Sequence, residues 1–268
     1  MKKRILNLLI AATLSVITLS SCLGDMESSI SGSGEYALIA EDSSTGSKYV
    51  IAPSASSYRC VFNFPGIEAF RQGDVIKLAS YKVNLDKTPA SYIYTAENVI
   101  LDNEVYLVAN QNPVKFENAT AETDTINLFT DNIKLISTLG DGTFGDRWII
   151  SYKCRLKDGE RAKINVMLDT NNQDESDKST YTLDIRLEKT SIPSDDETVK
   201  DEFHTAVLDL TNLRRYLEGK LGDIDENPNY PGYKAFKIKL RTYLLTTTNT
   251  PHPSTNVSAS LFFYINEK

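Results

Sequence analysis

The sequence predicts an all-β protein built as two domains, a smaller barrel followed by an antiparallel β-sandwich that carries one short helix. Three observations lead there. From Glu35 onward apolar and polar residues alternate in runs of about five to ten, the period-2 signature of strands with one buried face. The runs are separated by Gly, Pro, Asn and Asp, residues that supply turn conformations. Only one stretch has helical spacing, and many short strands with a single helix are the pattern of small barrels and sandwiches.

In the first half, strands are expected at 36–40, 48–52, 58–64, 74–85, 92–95, 99–101, 104–109 and 126–136. The Gly- and Asp-rich stretch 139–146 places a boundary at 140/141, with the barrel domain at 35–140 and the sandwich domain at 141–268. In the second half, Lys157-Asp158-Gly159-Glu160 joins alternating runs at 147–156 and 161–168, and Asp-Gly between such runs predicts a two-residue hairpin. Further strands are expected at 181–188, 203–210, 233–245 and 256–265. Between them Thr211 is placed to cap a helix whose Leu213, Tyr216, Leu217 and Leu221 share one side and which Gly222 ends. In the strand from Tyr181, Leu183, Ile185 and Leu187 point one way, leaving Thr182, Asp184, Arg186 and Glu188 for a solvated face.

The amino terminus carries a targeting signal. Lys2, Lys3 and Arg4 precede an apolar segment of 14 residues, Ile5 to Thr18, too short to span a bilayer. Leu19-Ser20-Ser21-Cys22 follows, a lipobox with small residues before its cysteine. Residues 1–21 are therefore expected to be a lipoprotein signal peptide, with lipid such as palmitate on Cys22 and the membrane as the first partner. Residues 22–34, Ser- and Gly-rich, are expected to form a flexible tether. The expected location is the cell envelope, as an outer-membrane lipoprotein on the periplasmic face or the cell surface.

Charge removes one class of partner. Losing residues 1–21 takes three positive charges and moves the formal net charge from −7 to −10, the opposite of what phosphate neutralisation needs, so nucleic acid is not expected. With Cys22 assigned to lipid, Cys60 and Cys154 remain, each on the apolar side of an alternating run, where separate buried thiols fit better than a bridge between domains.

Motifs for catalysis are missing. Of the two histidines, His252 lies between prolines in a Thr-rich loop and His204 lies in DEFHTAV at a strand start. No HExxH, paired CxxC, GxSxG or P-loop spacing occurs, and no cofactor or metal is expected. The oxygen-rich run Asp169 to Asp177 fails the EF-hand pattern, with Asp174 where Gly belongs and Thr180 where Glu belongs, so it and 222–227 are expected to be solvated acidic loops. Carboxylate pairs for glycoside hydrolysis cannot be chosen from sequence, since their separation is a tertiary property. Candidate contact residues are Phe262 and Tyr264, two aromatics on the polar side of the last strand, and Trp148, whose neighbours Ile150, Tyr152 and Leu156 share its side and point it inward. Lys237, Lys239 and Arg241 form a basic stripe on one strand face.

The lipobox, the segment Phe70-Arg71-Gln72-Gly73-Asp74-Val75-Ile76-Lys77-Leu78-Ala79-Ser80-Tyr81, the strand Glu104-Val105-Tyr106-Leu107-Val108 and the run Gly145-Asp146-Arg147-Trp148-Ile149-Ile150-Ser151-Tyr152 together resemble the NigD-like lipoproteins of Bacteroidetes. The resemblance spans nearly the whole chain after the signal. It implies an N-terminal OB-type barrel, a C-terminal β-sandwich and no catalytic residue. The function expected is that of a non-enzymatic, lipid-anchored envelope protein binding an unknown protein or glycan partner; the alternatives are a glycan-binding surface lipoprotein or a pilin-like, fimbrillin-type assembly component.

Overall fold

The computed structural model describes residues 29–53, 59–85, 93–102, 111–118, 127–137, 146–171, 173, 177–190, 198–229, 231–246, 251–256 and 262–266. Its architecture is all-β, a closed barrel and a separate large sheet with one α-helix.

The barrel uses β2 (Glu35–Glu41), β3 (Lys48–Pro53), β4 (Arg59–Asn63), β5 (Val75–Asn84) and β6 (Tyr94–Leu101). The strands close in the order β2-β3-β4-β6-β5 and back to β2, with β4 and β6 parallel and the other pairs antiparallel. A first strand that pairs with both the second and the fourth, with the fifth parallel to the third, is the OB arrangement. Alternation fills the interior with Ala37, Ile39, Val50, Phe62, Leu78 and Val83, and the rings of Phe62 and Tyr81 stack at 4.9 Å. Asn98, at φ 55°, lies where the pairing of β5 with β6 slips register, a bulge that lets the barrel close.

Residues expected in the tether continue the barrel. β1 (Ser29–Gly32) pairs with the far end of β5, Ser29 opposite Asn84, because Ile30 packs on the barrel core and Gly32 leaves room for the Tyr81 ring. A Cβ on Gly32 would lie 2.5 Å from Tyr81 Cε1.

The second sheet holds β7 (Gln111–Phe116), β8 (Lys134–Ser137), β9 (Arg147–Lys157), β10 (Arg161–Leu168), β11 (Thr180–Thr190), β12 (Val199–Asp209), β13 (Tyr233–Leu245), β14 (Pro251–Asn256) and β15 (Phe262–Asn266). Its order is β14-β13-β11-β10-β7-β12-β9-β8, and β15 joins β13 beside β14. Phe129 bridges the two ends, its N–H donating to the Tyr243 carbonyl at 3.1 Å and its ring meeting Tyr152 at 5.7 Å. The sheet thus folds over one core, in which Trp148, Phe129, Phe236, Leu183, Ile185 and Val166 are fully enclosed.

Several expectations change here. β7, which the expected strands do not include, and β8, at the end of the run expected at 126–136, lie before the 140/141 boundary yet belong to the second sheet, so the passage from barrel to sandwich falls between Asp102 and Gln111; the strand expected at 104–109 lies outside the described residues. The turn at Lys157–Glu160 forms with Gly159 at φ 80°, yet β9 and β10 do not pair: β12 and β8 occupy the edges of β9, and β11 and β7 those of β10. The turn instead carries the chain from one layer to the other. Pairing is also not wholly antiparallel, since β7 runs parallel to both neighbours and β11 to β13. The prolines at 251 and 253, expected in a loop, lie in β14, where an edge tolerates their missing donors, and His252 there is exposed.

Helix α1 (Thr211–Glu218) starts one residue after Leu210, with the Thr211 hydroxyl donating to Asp209 Oδ1 at 2.6 Å instead of capping the helix. It ends at Gly219, and a 3-10 turn over Leu221–Asp223 follows, so Gly222 lies beyond its end. Leu213 and Leu217 seal one end of the sandwich core.

Barrel and sandwich meet through Val75, Ile149 and Val207, all fully buried, with Tyr36 and Leu38 packed around them. Gly73, at φ 87°, brings its backbone against Arg147, and an added Cβ would lie 2.7 Å from Arg147 Nη2.

A groove at the helix end of the sandwich

Three segments converge beside α1. One is the loop between β10 and β11, which holds itself in place: Asn171 N–H donates to Asp169 Oδ1 at 3.0 Å, Gln173 Nε2 donates to the Asp169 carbonyl at 2.6 Å, and Thr182 N–H donates to Gln173 Oε1 at 2.8 Å. At its end Asp177 Oδ1 accepts from the Ser179 N–H and hydroxyl at 3.1 and 2.7 Å, and hydrogen bonds from Thr180 and Ser179 hold its carboxyl below the usual carboxylate range. The second segment, 221–229, is fixed by the Lys234 ammonium donating to the Leu221 carbonyl at 2.6 Å and by Asn227 N–H donating to the Tyr233 carbonyl at 2.8 Å. The third is the end of the helix itself, with Tyr216 and Lys220.

Between them run two hollows of about 480 and about 500 Å³ that share Asp177, Lys178 and Asp223. Each lies in the size range of small-molecule sites. Lys178 Nζ and Asp223 Oδ1 face each other across the junction at 3.9 Å, and both side chains are more than half exposed, so the pair opens at little cost. One hollow has an aromatic wall. The Tyr216 ring sits edge-on to Tyr181 at 5.9 Å, tilts against Phe116 at 5.3 Å and lies under Lys220 Nζ at 5.7 Å. Phe116 is 45% exposed. Burial, with Tyr216 and Asp223 nearby, raises the pKa of the Tyr181 phenol and keeps it a neutral hydroxyl.

Both oxygen-rich loops singled out in the sequence thus line the same groove. Among the described residues no group of three or more His, Cys, Asp and Glu is arranged to hold a metal ion; 172 and 174–176 lie outside them. The aromatic wall had a partial signal. Tyr216 shares a helix side with Leu213 and Leu217, but only the two leucines are buried and Tyr216 is left at the rim.

The other candidates fall elsewhere. Cys22 lies outside the described residues, as do the side chains of Cys60, Phe262 and Tyr264, whose backbones belong to β4 and β15. Trp148, named as a contact residue, is 0% exposed and no platform, because it points from β9 into the sandwich core. Its Nε1 is buried without a hydrogen-bond partner among the described residues. Cys154 is a free, buried thiol that bridges to nothing. His204 stacks on Tyr152 at 5.4 Å beside a hollow of about 400 Å³, and burial lowers its pKa against the opposing effect of Glu202.

The expected basic stripe and solvated strand face meet each other. Arg241 Nε donates to Asp184 Oδ1 at 2.7 Å and its Nη2 to Oδ2, while Arg186 Nη2 lies 3.7 Å from Oδ1 and stacks its guanidinium 4.0 Å over Tyr243. Asp184 is 0% exposed, so this position is an enclosed ion cluster instead of a wetted face.

No protein-family model matches the chain, and no curated protein matches it. Solved structures similar in fold include two from Bacteroides. A protein of unknown function, DUF1344, from Bacteroides vulgatus is 7% identical with a TM-score of 0.47, over 85% of this chain and 92% of its own. At these identities no residue role passes from such a structure to this chain. The other, a NigD-like immunity protein from Bacteroides caccae, bears the name of the family the sequence resembles; it is 13% identical with a TM-score of 0.47, over 88% of this chain and 97% of its own.

Proposed function

We propose that the protein is a non-enzymatic binding protein of the cell envelope, held to the outer membrane by lipid on Cys22 and presenting the sandwich groove to a ligand. The observation that carries the binding role is the groove, whose walls come from three chain segments fixed by their own hydrogen bonds before any ligand arrives. Such preorganisation lowers the ordering cost of binding.

The anchor reading is supported by the lipobox and by the path of the chain into the fold. Ser29 enters the barrel opposite Asn84, at the end of β5 away from Val75, where the sandwich docks. A strand rises about 3.4 Å per residue, so the barrel interposes up to about 30 Å between chain entry and sandwich. Residues 23–28 can add no more than about 20 Å at full extension. The barrel then acts as the membrane-proximal spacer.

Fractionation tests the anchor. The parent chain should partition with membranes and incorporate labelled palmitate, and Cys22→Ser should appear in the soluble fraction without label. A Cys22→Ser protein that stays in the membrane fraction rejects the anchor.

A further inference from the structure

We infer that the groove is a saccharide site, taking at least two sugar units of a neutral glycan across its paired hollows. This deepens the binding role proposed above and adds the chemical class of its ligand. The reasoning starts from the mixture of surfaces. A pyranose has an apolar face made by its C–H bonds and a periphery of hydroxyls that both donate and accept. A site for it needs a flat aromatic surface next to several rigid polar groups, and one end of this groove has that combination.

The aromatic component is Tyr216, supported from behind by Tyr181 at 5.9 Å and extended toward solvent by Phe116 at 5.3 Å. Phe116 is 45% exposed at the end of a strand, with its ring against Tyr216. Together with the half-buried Tyr216 it makes an aromatic pair at the rim, where a ligand can cover it. Polar groups flank them. Asn171, whose Nδ2 donates to Asn118 at 3.0 Å, lines the hollow, and Lys220, Lys178 and Asp223 bring cationic donors and a carboxylate acceptor to the same wall.

Charge narrows the class. Asp177, Asp223, Asp225 and Glu226 line the two hollows, against Lys178 and Lys220. Carboxylates outnumber cations, and the chain as a whole is acidic. Uronic, sulfated or phosphorylated glycans would be repelled, which leaves neutral saccharides. Length follows from the shared junction. Two hollows of about 480 and 500 Å³ share Asp177, Lys178 and Asp223, and the weak 3.9 Å pair of Lys178 and Asp223 lies at that junction, so a ligand that parts this pair reaches both.

The test uses the full chain with Cys22→Ser, so that the outcome does not depend on lipid attachment. Isothermal titration is run against neutral gluco-, xylo-, manno- and chito-oligosaccharides of two to six units, with oligogalacturonate as the anionic comparison. The expected result is binding of at least one neutral series, tighter for longer members, with no heat from oligogalacturonate. Tyr216→Ala and, separately, Phe116→Ser should weaken that binding at least tenfold, while Tyr216→Phe retains it. Phe116→Ser touches an exposed side chain and keeps the test informative should Tyr216→Ala fail to fold. Absence of binding across all four neutral series overturns the inference, as does binding unchanged in Phe116→Ser and Tyr216→Ala, or a preference for the anionic glycan. None of those outcomes bears on the anchor, which fractionation of the Cys22 variant decides.

Discussion

Removing the Asp184 carboxylate should destabilise the sandwich by about 3 kcal/mol. Asp184 lies midway along β11 with no solvent exposure and directly opposite Arg241 on the parallel strand β13. Two charge-assisted hydrogen bonds join them, and donating to the Asp184 carboxylate raises the pKa of the Arg241 guanidinium. In Asp184→Ala the Arg241 guanidinium loses both of these bonds and keeps only the weaker pull of Asp169. Breaking a buried pair by losing one partner costs about 3–5 kcal/mol. Arg241 and Arg186 retain 24% and 11% side-chain exposure, so water can compensate in part and the lower end applies. For a unit of this size each kcal/mol lowers Tm by about 2–4 °C, so a fall of roughly 6–12 °C is expected. Trp148 is the only tryptophan and lies in the sandwich core, so urea unfolding followed by its fluorescence reports this half of the molecule. Replacing both partners, as Asp184→Leu with Arg241→Met, should recover most of the loss, because the penalty is the stranded charge and not the missing attraction. A cost under about 1 kcal/mol for Asp184→Ala, or a double variant as unstable as the single one, would refute the reasoning.

The other two predictions concern buried titratable groups. Burial lowers the native pKa of His204 below its ordinary value of 6.5, so just below that value the unfolded chain binds a proton that the native state refuses. Stability should therefore decline as pH falls through 6.5 and level off below the native pKa, and in His204→Gln the Tm profile between about pH 7.5 and 5.5 should be flatter; an unchanged slope assigns the dependence elsewhere. Burial pushes the Cys154 thiol up to about 11. Its alkylation, read by peptide mass spectrometry, should be negligible in the native protein and complete in denaturant, and rapid native labelling would contradict the enclosed thiol.

Much of the fold was legible because alternation is a local property. Leu183, Ile185 and Leu187 announce a strand and its buried side, and all three are in the core. What alternation cannot show is which strands become neighbours. The run Lys157–Glu160 has sound turn chemistry, with Gly159 at φ 80°, yet the turn joins layers and not partners. β7 is not among the expected strands, because Gln111-Asn112-Pro113 interrupts any alternation there, and nothing local marks it as the central strand of the second sheet. Polarity misled at Asp184, where a charged residue in outward register was expected in water and instead is closed over by two arginines from the same face. The groove was half visible. Its oxygen-rich loops stood out in the sequence, whereas the wall formed by Phe116, Tyr181 and Tyr216 draws on residues 100 positions apart.

The position of β7 explains why barrel and groove belong to one object. β7 is the first described strand after the barrel, yet it lies between β10 and β12 in the middle of the second sheet, parallel to both. Its Val114 is in the sandwich core, and the Val114 carbonyl accepts from Asn212 Nδ2 of the helix at 3.3 Å. Its last residue, Phe116, packs its ring against Tyr216 of the groove wall. A chain beginning at residue 141 would therefore leave facing edges on β10 and β12 without the strand that joins them, and open edges of that kind invite pairing with other chains. The segment leaving the barrel is thus also the keystone of the sandwich and a support for the aromatic wall of its groove. Because β7 must wait for β10 and β12, made some 50 and 90 residues later, the groove is a late product of folding, set by long-range pairing. A substitution that weakens β7 should accordingly affect the ligand site before it affects the barrel, whose own ring of strands closes without it.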